Sequence, residues 1–386
     1  MRLLHVTNAY PPAPAAGGVA SAMRAQCQAL CENADKTIDI TVALASSVQK
    51  EIDQAKRIAK NDGVELLLVD CWQARRRGST IGLILPTFGG LKQLVHIVKN
   101  SDCVHIHGFR NSFSNITGLL GVYYGKSVVV QPHGSAQIIG ASKMAKYIFD
   151  FLIGRLLLRK SNCVLSLSEE EDSQIREIEK NTEIIRIWNA VPPVAFVDHS
   201  VADAQSRASI NLLFVGRLNW KKGIDILVRE IVGSDSGNRS LKLRIVGPDD
   251  GVEEEVRRVA NGDTRIEFLG PLSGEALVQE YLWADLLVVP SVTDTFPMVI
   301  LEAASHGLPI AMTPTVEVSK SLEGLVAVLE PENLLSGIFS ALEEPVLTRL
   351  TNSTKDISMR YSLGSLSVVL CKIYGINNVD TLEVCV

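Results

Sequence analysis

Two acidic residues flank the predicted start of a helix within residues 287–311, LVVPSVTDTFPMVILEAASHGLPIA. Asp294 lies in the loop before the helix and Glu302 lies inside it, with seven residues between them. Pro297 is the predicted first helical residue, because its ring presets φ and its missing N–H costs nothing there. A helix start offers free N–H groups and the positive end of the dipole, which suit a phosphate or a cluster of sugar hydroxyls. The two acids are therefore predicted hydroxyl acceptors; the alternative is two acids with no shared role.

A basic pair follows an earlier predicted strand in the sequence FVGRLNWKKG. The strand at 211–215 ends before Gly216, so Arg217 emerges at its carboxyl end, and Lys222 stands at the start of the next predicted helix. Arginine can bond two phosphate oxygens through its planar fork, and lysine supplies a compact charge. The pair predicts a diphosphate site, with two solvated surface cations as the alternative.

These two elements resemble the E-x7-E and GR-x4-KG motifs of retaining, nucleotide-sugar-dependent glycosyltransferases of the GT4 type, the glycosyl transferases group 1. The resemblance implies that Arg217 and Lys222 hold the donor diphosphate and stabilise its departure. It also implies that Glu302 accepts from the ribose hydroxyls and that Asp294 orients the donor sugar. The motifs run in the family's order from Gly17 to Glu302.

Two departures from the family pattern bear on donor selectivity and activity. The first acid is Asp294, one methylene shorter than the family's glutamate. The family usually has a glycine-rich loop after the strand predicted at 309–312, whereas this chain has Thr313-Pro-Thr-Val-Glu-Val-Ser and no glycine until Gly324. We expect any specificity peculiar to this protein to arise at Asp294 rather than at Glu302.

The resemblance extends to residues outside the two main motifs. It implies that backbone amides near Phe296, Pro297 and Met298, at the predicted helix start, meet the sugar or phosphate. It implies that the pair Gly17-Gly18 lies beside the donor phosphate and the acceptor, and that His133 contacts the sugar hydroxyls. It also implies that Asn189, at the end of the first domain, shapes the hinge and touches the ligand.

Two further histidines, His105 and His107, share one face of a predicted strand because strand side chains alternate. No third metal ligand is evident beside them, so a structural or acceptor-side role is expected. Ser168 is the predicted cap of the helix that follows it. The chain has no Asp-x-Asp pair to hold a divalent ion on a diphosphate. We therefore expect a transferase that needs no metal and no cofactor beyond the nucleotide sugar.

The order of predicted elements gives the domain organisation. Short apolar strands alternate with amphipathic helices in both halves, which indicates parallel sheets covered by helices on both faces. We predict a first domain over 1–190, a linker over 191–210, a second domain over 211–360, and a helix over 361–386 that crosses back to the first domain. The resemblance implies an α/β GT-B fold with two Rossmann-like, doubly wound domains facing across a cleft.

Composition excludes several classes of protein. The 386 residues include 46% hydrophobic and 21% charged residues, which is typical of a globular chain, and the net charge of −5 argues against nucleic acid. The seven cysteines form no C-x-x-C pair, so free thiols in a reducing compartment are expected. We find neither a signal-like apolar segment at the start nor a run of the ~18 apolar residues that span a bilayer, so a cytoplasmic location is expected.

Residues 143–160, KMAKYIFDFLIGRLLLRK, mix apolar clusters with five cations and one acid. The cluster at 75–77 is also basic. One interpretation is peripheral contact with the anionic inner face of a membrane. The other is a helix packed on the sheet whose cations are solvated.

The predicted function is transfer of a sugar, with retention of configuration, from a nucleoside diphosphate sugar to a hydroxyl acceptor. No residue is an obvious nucleophile or general base, which fits a departing phosphate that takes the acceptor's proton. The family implies a cell-surface polysaccharide or lipid-linked oligosaccharide as the product. The acceptor loops are expected in the least patterned segments, 10–20, 71–90 and 108–115. Two alternatives stay open: a nucleotide-sugar 2-epimerase of the same fold, and a non-catalytic nucleotide-sugar-binding homologue. The nucleotide of the donor is left open among UDP, GDP and ADP.

Overall fold

The computed structural model describes residues 1–12, 17–33, 38–48, 51–74, 83–138, 143–192, 209–234 and 240–376. The chain divides into two compact units. The first unit holds Met1–Pro192 together with Leu363–Val386, and the second holds Pro193–Ser362. Most of the linker predicted over 191–210 lies outside the described residues.

The first unit is built on a parallel sheet of seven strands within the described part of the chain. Its order is β3-β2-β1-β6-β7-β8-β9. The strands are almost continuous apolar runs because helices cover both faces of a parallel sheet. Their bounds are β1 Arg2–Thr7, β2 Asp39–Ala45, β3 Glu65–Val69, β6 Cys103–His107, β7 Ser127–Gln131, β8 Cys163–Ser166 and β9 Ile184–Arg186.

Helices pack on both faces of this sheet. The helices of the unit are α1 Gly17–Asn33, α2 Ile52–Asn61, α3 Phe88–Asn100, α4 Ser112–Tyr123, α5 Lys143–Phe149, α6 Arg155–Lys160, α7 Glu169–Ile178 and α14 Leu363–Tyr374, with a π-helical turn at Asp150–Gly154 between α5 and α6. Leu94, Phe113 and Leu157 bring α3, α4 and α6 into one core with Val104 and Ile106 of β6. The opposite face carries α1 and α14, which pack against each other.

A short antiparallel pair of strands lies in a segment where the apolar residues of the sequence show no regular spacing. Strands β4 (Cys71–Ala74) and β5 (Leu83–Pro86) pair with Trp72 opposite Leu85. The hydroxyl of Ser112 accepts from the Ile84 N–H at 3.0 Å and donates to the Ile84 carbonyl at 2.7 Å, which ties β5 to the start of α4. Part of the segment interpreted as an unpatterned acceptor loop is therefore a strand pair.

The second unit repeats the arrangement on a smaller sheet. Within the described residues it has six parallel strands in the order β12-β11-β10-β13-β14-β15. They are β10 Ser209–Val215, β11 Ser240–Val246, β12 Ile266–Gly270, β13 Leu286–Val289, β14 Ile310–Met312 and β15 Ala327–Val328. The helices are α8 Ile224–Gly233, α9 Glu253–Ala260, α10 Glu275–Trp283, α11 Met298–Ser305, α12 Leu334–Ala341 and α13 Glu344–Arg360. The prediction of two Rossmann-like α/β units is confirmed.

The sequence pattern is helix-like over Ile357–Tyr374, where the chain is predicted to cross back to the first domain, but this run is not one helix. Helix α13 ends at Arg360 and α14 begins at Leu363, so the break falls where the chain leaves the second unit. At this break Tyr361 is buried, with its ring 5.3 Å from that of Phe296. The apolar period continues through the break because both helices are amphipathic, so periodicity alone could not reveal it.

A buried carboxylate organises the loop after β1 in the first unit. Asp62 accepts two hydrogen bonds from Arg24 at 2.6 and 2.9 Å, one from the Tyr10 hydroxyl at 2.7 Å and one from Gln28 at 2.8 Å. Burial raises the pKa of Asp62, but the hydrogen bonds from Arg24, Tyr10 and Gln28 outweigh it, and the pKa lies below its ordinary value. The charged form of Asp62 therefore holds Tyr10, in the segment that follows β1.

The variant Asp62→Asn tests this account of the loop. We expect it to lower the free energy of unfolding by about 1–3 kcal/mol at neutral pH, the range for charge-assisted hydrogen bonds. Because the folded-state pKa of Asp62 is depressed, its contribution is present above the unfolded value of about 4 and is lost as the pH falls through the folded value. Urea unfolding of variant and wild type should therefore converge in acid. The exposed Asp53→Asn is the control, and an equal loss in both variants would contradict the assignment.

Candidate functional site

Lys222 and Asp294 form a direct ion pair in the second unit. Lys222 closes the 3-10 turn Trp220–Lys222 after β10, and Asp294 lies in the loop after β13, the next strand in the sheet. Their side chains are only 23% and 19% exposed, so the pair is sheltered from solvent. The sequence assigned the two residues separate ligand groups, and the structure brings them into contact with each other.

The turn around Lys222 fits directly against the loop that carries Asp294. Gly223 has a φ of +63°, and a Cβ placed on it would lie 2.0 Å from the carbonyl oxygen of Pro290. The Val292 N–H also donates to the carbonyl of Lys221 at 2.7 Å. The glycine that follows Lys222 is therefore required by the approach of two backbones.

Arg217 is positioned by an acid that the sequence analysis missed. Its guanidinium lies 3.1 Å from the Asp250 carboxylate, which also accepts from Asn219 at 2.9 Å. Asp250 follows β11, whose carboxyl end lies next to that of β10 in the sheet. Knowing that these two strands are neighbours would have placed Asp250 close to Arg217. Burial, followed by the charge of Arg217, lowers the pKa of the neighbouring Lys221. Three cations thus converge at this edge, with two carboxylates beside them.

The segment that replaces a glycine-rich loop supports the Asp294 loop. The Glu317 N–H donates to the Asp294 carbonyl at 2.8 Å, and the Val318 N–H donates to the Thr295 carbonyl at 3.1 Å. The Thr313 hydroxyl donates to the Ser291 carbonyl at 2.7 Å. Segment 313–318 therefore fixes the loop backbone through hydrogen bonds.

Glu302 lies one helix turn into α11, where it accepts from the buried Tyr281 hydroxyl at 2.6 Å. Burial raises the pKa of Glu302, and the Tyr281 hydrogen bond partly opposes that shift. The bond occupies Oε2 and orients the carboxylate. Tyr281 is a second residue that sequence reasoning missed, because its partner is twenty-one positions away on another helix.

The start of α11 differs slightly from the prediction. Pro297 is the N-cap and Met298 is the first helical residue. The side chains of Phe296 and Met298 are buried, so any ligand contact from this stretch must come from backbone groups. Pro297 has no N–H to offer, which leaves the first helical amides as the donors.

The predicted site residues of the first unit lie at the carboxyl edge of its own sheet. Gly17 and Gly18 open α1 and are exposed, and Gly17 has a φ of +56° that favours glycine. His133 follows β7 with a φ of +54°, and its Nε2 lies 2.9 Å from His107 Nδ1. Asn189 is buried near the end of the unit.

The turn after β7 is held by an acid that the sequence analysis passed over. The Glu171 carboxylate accepts from the Gly134 N–H at 2.5 Å and from the Leu167 N–H at 2.9 Å. The predicted cap Ser168 is confirmed, since its hydroxyl accepts from the Glu171 N–H at 3.1 Å. The spacing Ser-x-x-Glu at a helix start was the available signal.

His105 and His107 have a third histidine beside them, which corrects the expectation that none was near. His5 lies opposite His105 on β1, and its Nδ1 is 2.9 Å from His107 Nε2. All three are fully buried, and one nitrogen from each lies within 4.8 Å of the others. His5 and His105 are one hundred residues apart, so only strand pairing brings them together.

Six cysteines of the described chain are free thiols: Cys27, Cys31, Cys71, Cys103, Cys163 and Cys371. Burial raises the pKa of Cys103 and of Cys163 to about 12. No helix among the described residues is long and apolar enough to cross a bilayer.

Comparison with solved structures identifies the fold. HepE of Anabaena, solved with UDP-glucose, superimposes with a TM-score of 0.72 at 14% identity, over 97% of this chain and 99% of that one. This likeness shows the GT-B fold.

Sequence comparison finds a family match in the second unit and relatives of lower identity or partial coverage. Residues 209–344 match the family model described as glycosyl transferases group 1. An uncharacterized glycosyltransferase of Methanocaldococcus jannaschii is 24% identical over 97% of this chain and 98% of its own. The alpha-galactosylglucosyldiacylglycerol synthase of Streptococcus pneumoniae is 32% identical over 45% of this chain and 48% of its own. The chain is therefore similar to the glycosyl transferases group 1 over residues 209–344, which lie within the second unit.

The close approach at Gly223 can be tested by adding one methyl group. Gly223→Ala should destabilise the second unit, because its Cβ meets the Pro290 carbonyl and its φ is left-handed. Gly324→Ala is the matched control, since its φ is +80° and no atom lies within 4 Å of its Cβ. The control should cost about 1–2 kcal/mol for backbone strain alone. We expect Gly223→Ala to cost at least ~1 kcal/mol more by urea unfolding, and equal costs would show that the clash is relieved.

Proposed function

We propose that this protein is a glycosyltransferase that moves a sugar from a nucleoside diphosphate sugar to a hydroxyl acceptor with retention of anomeric configuration. The observation that carries the proposal is the Lys222–Asp294 ion pair, set beside Arg217 at the carboxyl edge of β10 and β13. Ligands of open α/β sheets bind at this edge. HepE, whose fold is similar, has been solved with a nucleotide sugar.

The ion pair supports separate tasks for its two members once a donor is bound. A diphosphate offers Lys222 a second anion, and sharing the lysine frees the Asp294 carboxylate to accept from a sugar hydroxyl. Arg217 is held at 3.1 Å from Asp250 and is 49% exposed, so its guanidinium can turn toward phosphate oxygens. The cations then stabilise the negative charge that grows on the leaving diphosphate.

Glu302 is proposed to hold the ribose of the donor. The Tyr281 hydroxyl fixes Oε2, which leaves Oε1 to accept from a ribose hydroxyl. The first amides of α11, including that of Met298, are proposed donors to the sugar or phosphate, as the positive end of a helix favours an anion.

We propose that no metal ion is needed, because Arg217, Lys221 and Lys222 supply positive charge at the place of the diphosphate. The departing phosphate oxygen is proposed to take the acceptor's proton, so that no side chain acts as general base. In the first unit, Gly17, Gly18, His133 and Asn189 are proposed to contact the donor or the acceptor.

The diphosphate role is tested with Lys222→Ala and Arg217→Ala. Each variant should lower kcat by about a hundredfold to a thousandfold, since each removes a group that stabilises developing charge. The control is Arg258→Ala, an exposed cation on α9 of the same unit, which should leave kcat unchanged. Transfer from UDP-, GDP- and ADP-sugars would be followed by release of the nucleoside diphosphate. Near-normal turnover in either test variant would refute the role of that residue.

The two alternative functions give different results in the same assay. An epimerase would convert the donor sugar in the absence of acceptor, which NMR of the incubated nucleotide sugar detects. A binding-only protein would be thermally stabilised by a nucleotide sugar and yet show neither hydrolysis nor transfer. Transfer to an acceptor with retained configuration is the expected result.

An exposed face on α5, the π-helical turn and α6 supports contact with an anionic membrane. Six large apolar side chains on this face are exposed, with Phe151 at 77% and Met144 at 73%: Met144, Tyr147, Ile148, Phe151, Leu152 and Leu156. Their spacing of three and four residues places them on one side of the helix. The buried side of the same segment holds Leu157 and Leu158.

The segment that forms this face is rich in cations, one of which, Arg155, is paired with Glu179 of the neighbouring segment at 3.1 Å. Five cations lie in the segment: Lys143, Lys146, Arg155, Arg159 and Lys160. Its single acid, Asp150, is buried and accepts two hydrogen bonds from Arg110 at 3.0 and 2.6 Å. Exposed apolar side chains flanked by cations match the interface of an anionic bilayer. We propose that the enzyme meets a membrane here and that its acceptor is a lipid-linked glycan or a surface polysaccharide precursor.

Vesicle binding tests the membrane contact. The triple variant of Lys143, Lys146 and Arg155 to alanine should bind phosphatidylserine-containing vesicles about a hundredfold more weakly, at about 1 kcal/mol for each cation. Lys56, Lys60 and Lys242 to alanine removes the same charge elsewhere and is the control. Phe151→Ser should also weaken binding, whereas Met359→Ser, equally exposed in the second unit, should not. Unchanged pelleting of the test variants, or a concentration-dependent dimer through this face, would overturn the proposal.

A further inference from the structure

A line of hydrogen-bonded histidines runs through the first unit to its predicted ligand edge. His5 Nδ1 lies 2.9 Å from His107 Nε2, and His107 Nδ1 lies 2.9 Å from His133 Nε2. The rings of His5 and His107 are nearly parallel, as are those of His107 and His133, at 18° and 28°. His5 and His107 are fully buried, and His133 is partly exposed. The line therefore connects the interior with the surface.

The rings in this line are neutral at physiological pH. Burial lowers the pKa of His5 to about 3 and that of His133 to about 3. Burial, reinforced by the neighbouring histidines, lowers the pKa of His107 well below its ordinary value. A neutral imidazole has one N–H and one lone pair. Each hydrogen bond between two such rings uses one of each, so fixing one tautomer fixes all three.

Only two arrangements of protons satisfy both bonds. In the first, His5, His107 and His133 all carry their proton on Nδ1, and His5 Nε2 is left as a bare lone pair. In the second, all three carry it on Nε2, and His5 Nε2–H becomes a donor. Among the residues that the structure describes, His5 Nε2 is buried without a hydrogen-bond partner. A buried N–H without an acceptor is rarer in proteins than an under-satisfied acceptor, so the first arrangement is favoured.

We propose that the line His5–His107–His133 sets the tautomer of His133, so that its Nδ1–H donates a hydrogen bond to an oxygen of the bound sugar nucleotide. His5 and His107 are then positioning residues that act through His133. The identity of the ligand rests on the proposed function, whereas the proton arrangement rests on the geometry alone. The left-handed backbone of His133, anchored by the Gly134 N–H bond to Glu171 at 2.5 Å, holds the ring in the line.

His105 lies beside the line without joining it. Its Nδ1 is 2.7 Å from the Tyr374 hydroxyl of α14, and its Nε2 is buried with no hydrogen-bond partner in the described part of the chain. Its ring centre is 4.2 Å from that of His107. His105 therefore offers a control of equal burial and similar surroundings.

The three buried histidines could instead bind a divalent cation through one nitrogen each. Such an ion would compete for the His5–His107 hydrogen bond, and the cluster contains no carboxylate to balance two positive charges in a fully buried place. Burying a charge that is not balanced is costly. The geometry therefore favours the proton arrangement, and metal content is an outcome of the test.

The experiment uses the whole chain with 15N-labelled histidine. Two-bond 1H–15N spectra distinguish the two tautomers, and we expect Nδ1–H for His5, His107 and His133. An Nε2–H tautomer at His133, a charged ring at neutral pH, or one equivalent of metal in the purified protein would each overturn the proposal. These readings need no substrate, so they stand apart from any failure of the transfer assay.

Variants then test the action through His133. His5→Phe removes the donor to His107 and should give a mixture of tautomers at His133, with about a tenfold loss in kcat/KM. His105→Phe should keep the Nδ1–H tautomer of His133. Thermal unfolding of both variants shows whether packing is disturbed equally; if His5→Phe does not fold, the wild-type spectra alone decide. Addition of UDP-glucose, GDP-mannose and ADP-glucose in turn should shift the His133 Nδ1–H resonance with the sugar nucleotide that binds, and binding without that shift would refute the contact.

Discussion

The contact between Lys222 and Asp294 joins two loops that leave neighbouring strands of the second sheet. Around it, the Gly223 backbone meets the Pro290 carbonyl, and the Thr313 hydroxyl bonds the Ser291 carbonyl from the next strand. Loops from three neighbouring strands are thus joined by contacts with backbone groups. The ion pair adds charge to loops that are already held together, which suits the electrostatic role that we propose for it.

Both units place their chemistry at the carboxyl ends of parallel strands, but they use different groups. The second unit gathers cations and acids, which suit a nucleotide diphosphate. The first unit gathers neutral histidines, whose pKa values are lowered chiefly by burial. Neutral rings give directional hydrogen bonds without attracting anions, so they suit sugar hydroxyls better than phosphates.

Several positions in the site are held by acids that do not face a ligand. Asp62 holds Tyr10 after β1, Glu171 holds the turn after β7, and Asp250 holds Arg217. Each of these acids accepts more than one hydrogen bond, so each joins several groups of the chain at one place.

Local patterns in the sequence were enough to predict the two α/β units, the order of the motifs, and Arg217, Lys222, Asp294 and Glu302 as candidate site residues. They were enough because strand and helix periods are local, and because glycine and proline mark the loops. Which of these residues meet depends on contacts between distant parts of the chain. The pairing of Lys222 with Asp294, of Arg217 with Asp250 and of His5 with His107 depends on strand order, which brings residues up to one hundred and two positions apart to the same edge of a sheet. The hairpin β4–β5 and the break after Arg360 could not be predicted from local patterns for the same reason, because contacts with distant elements fix them.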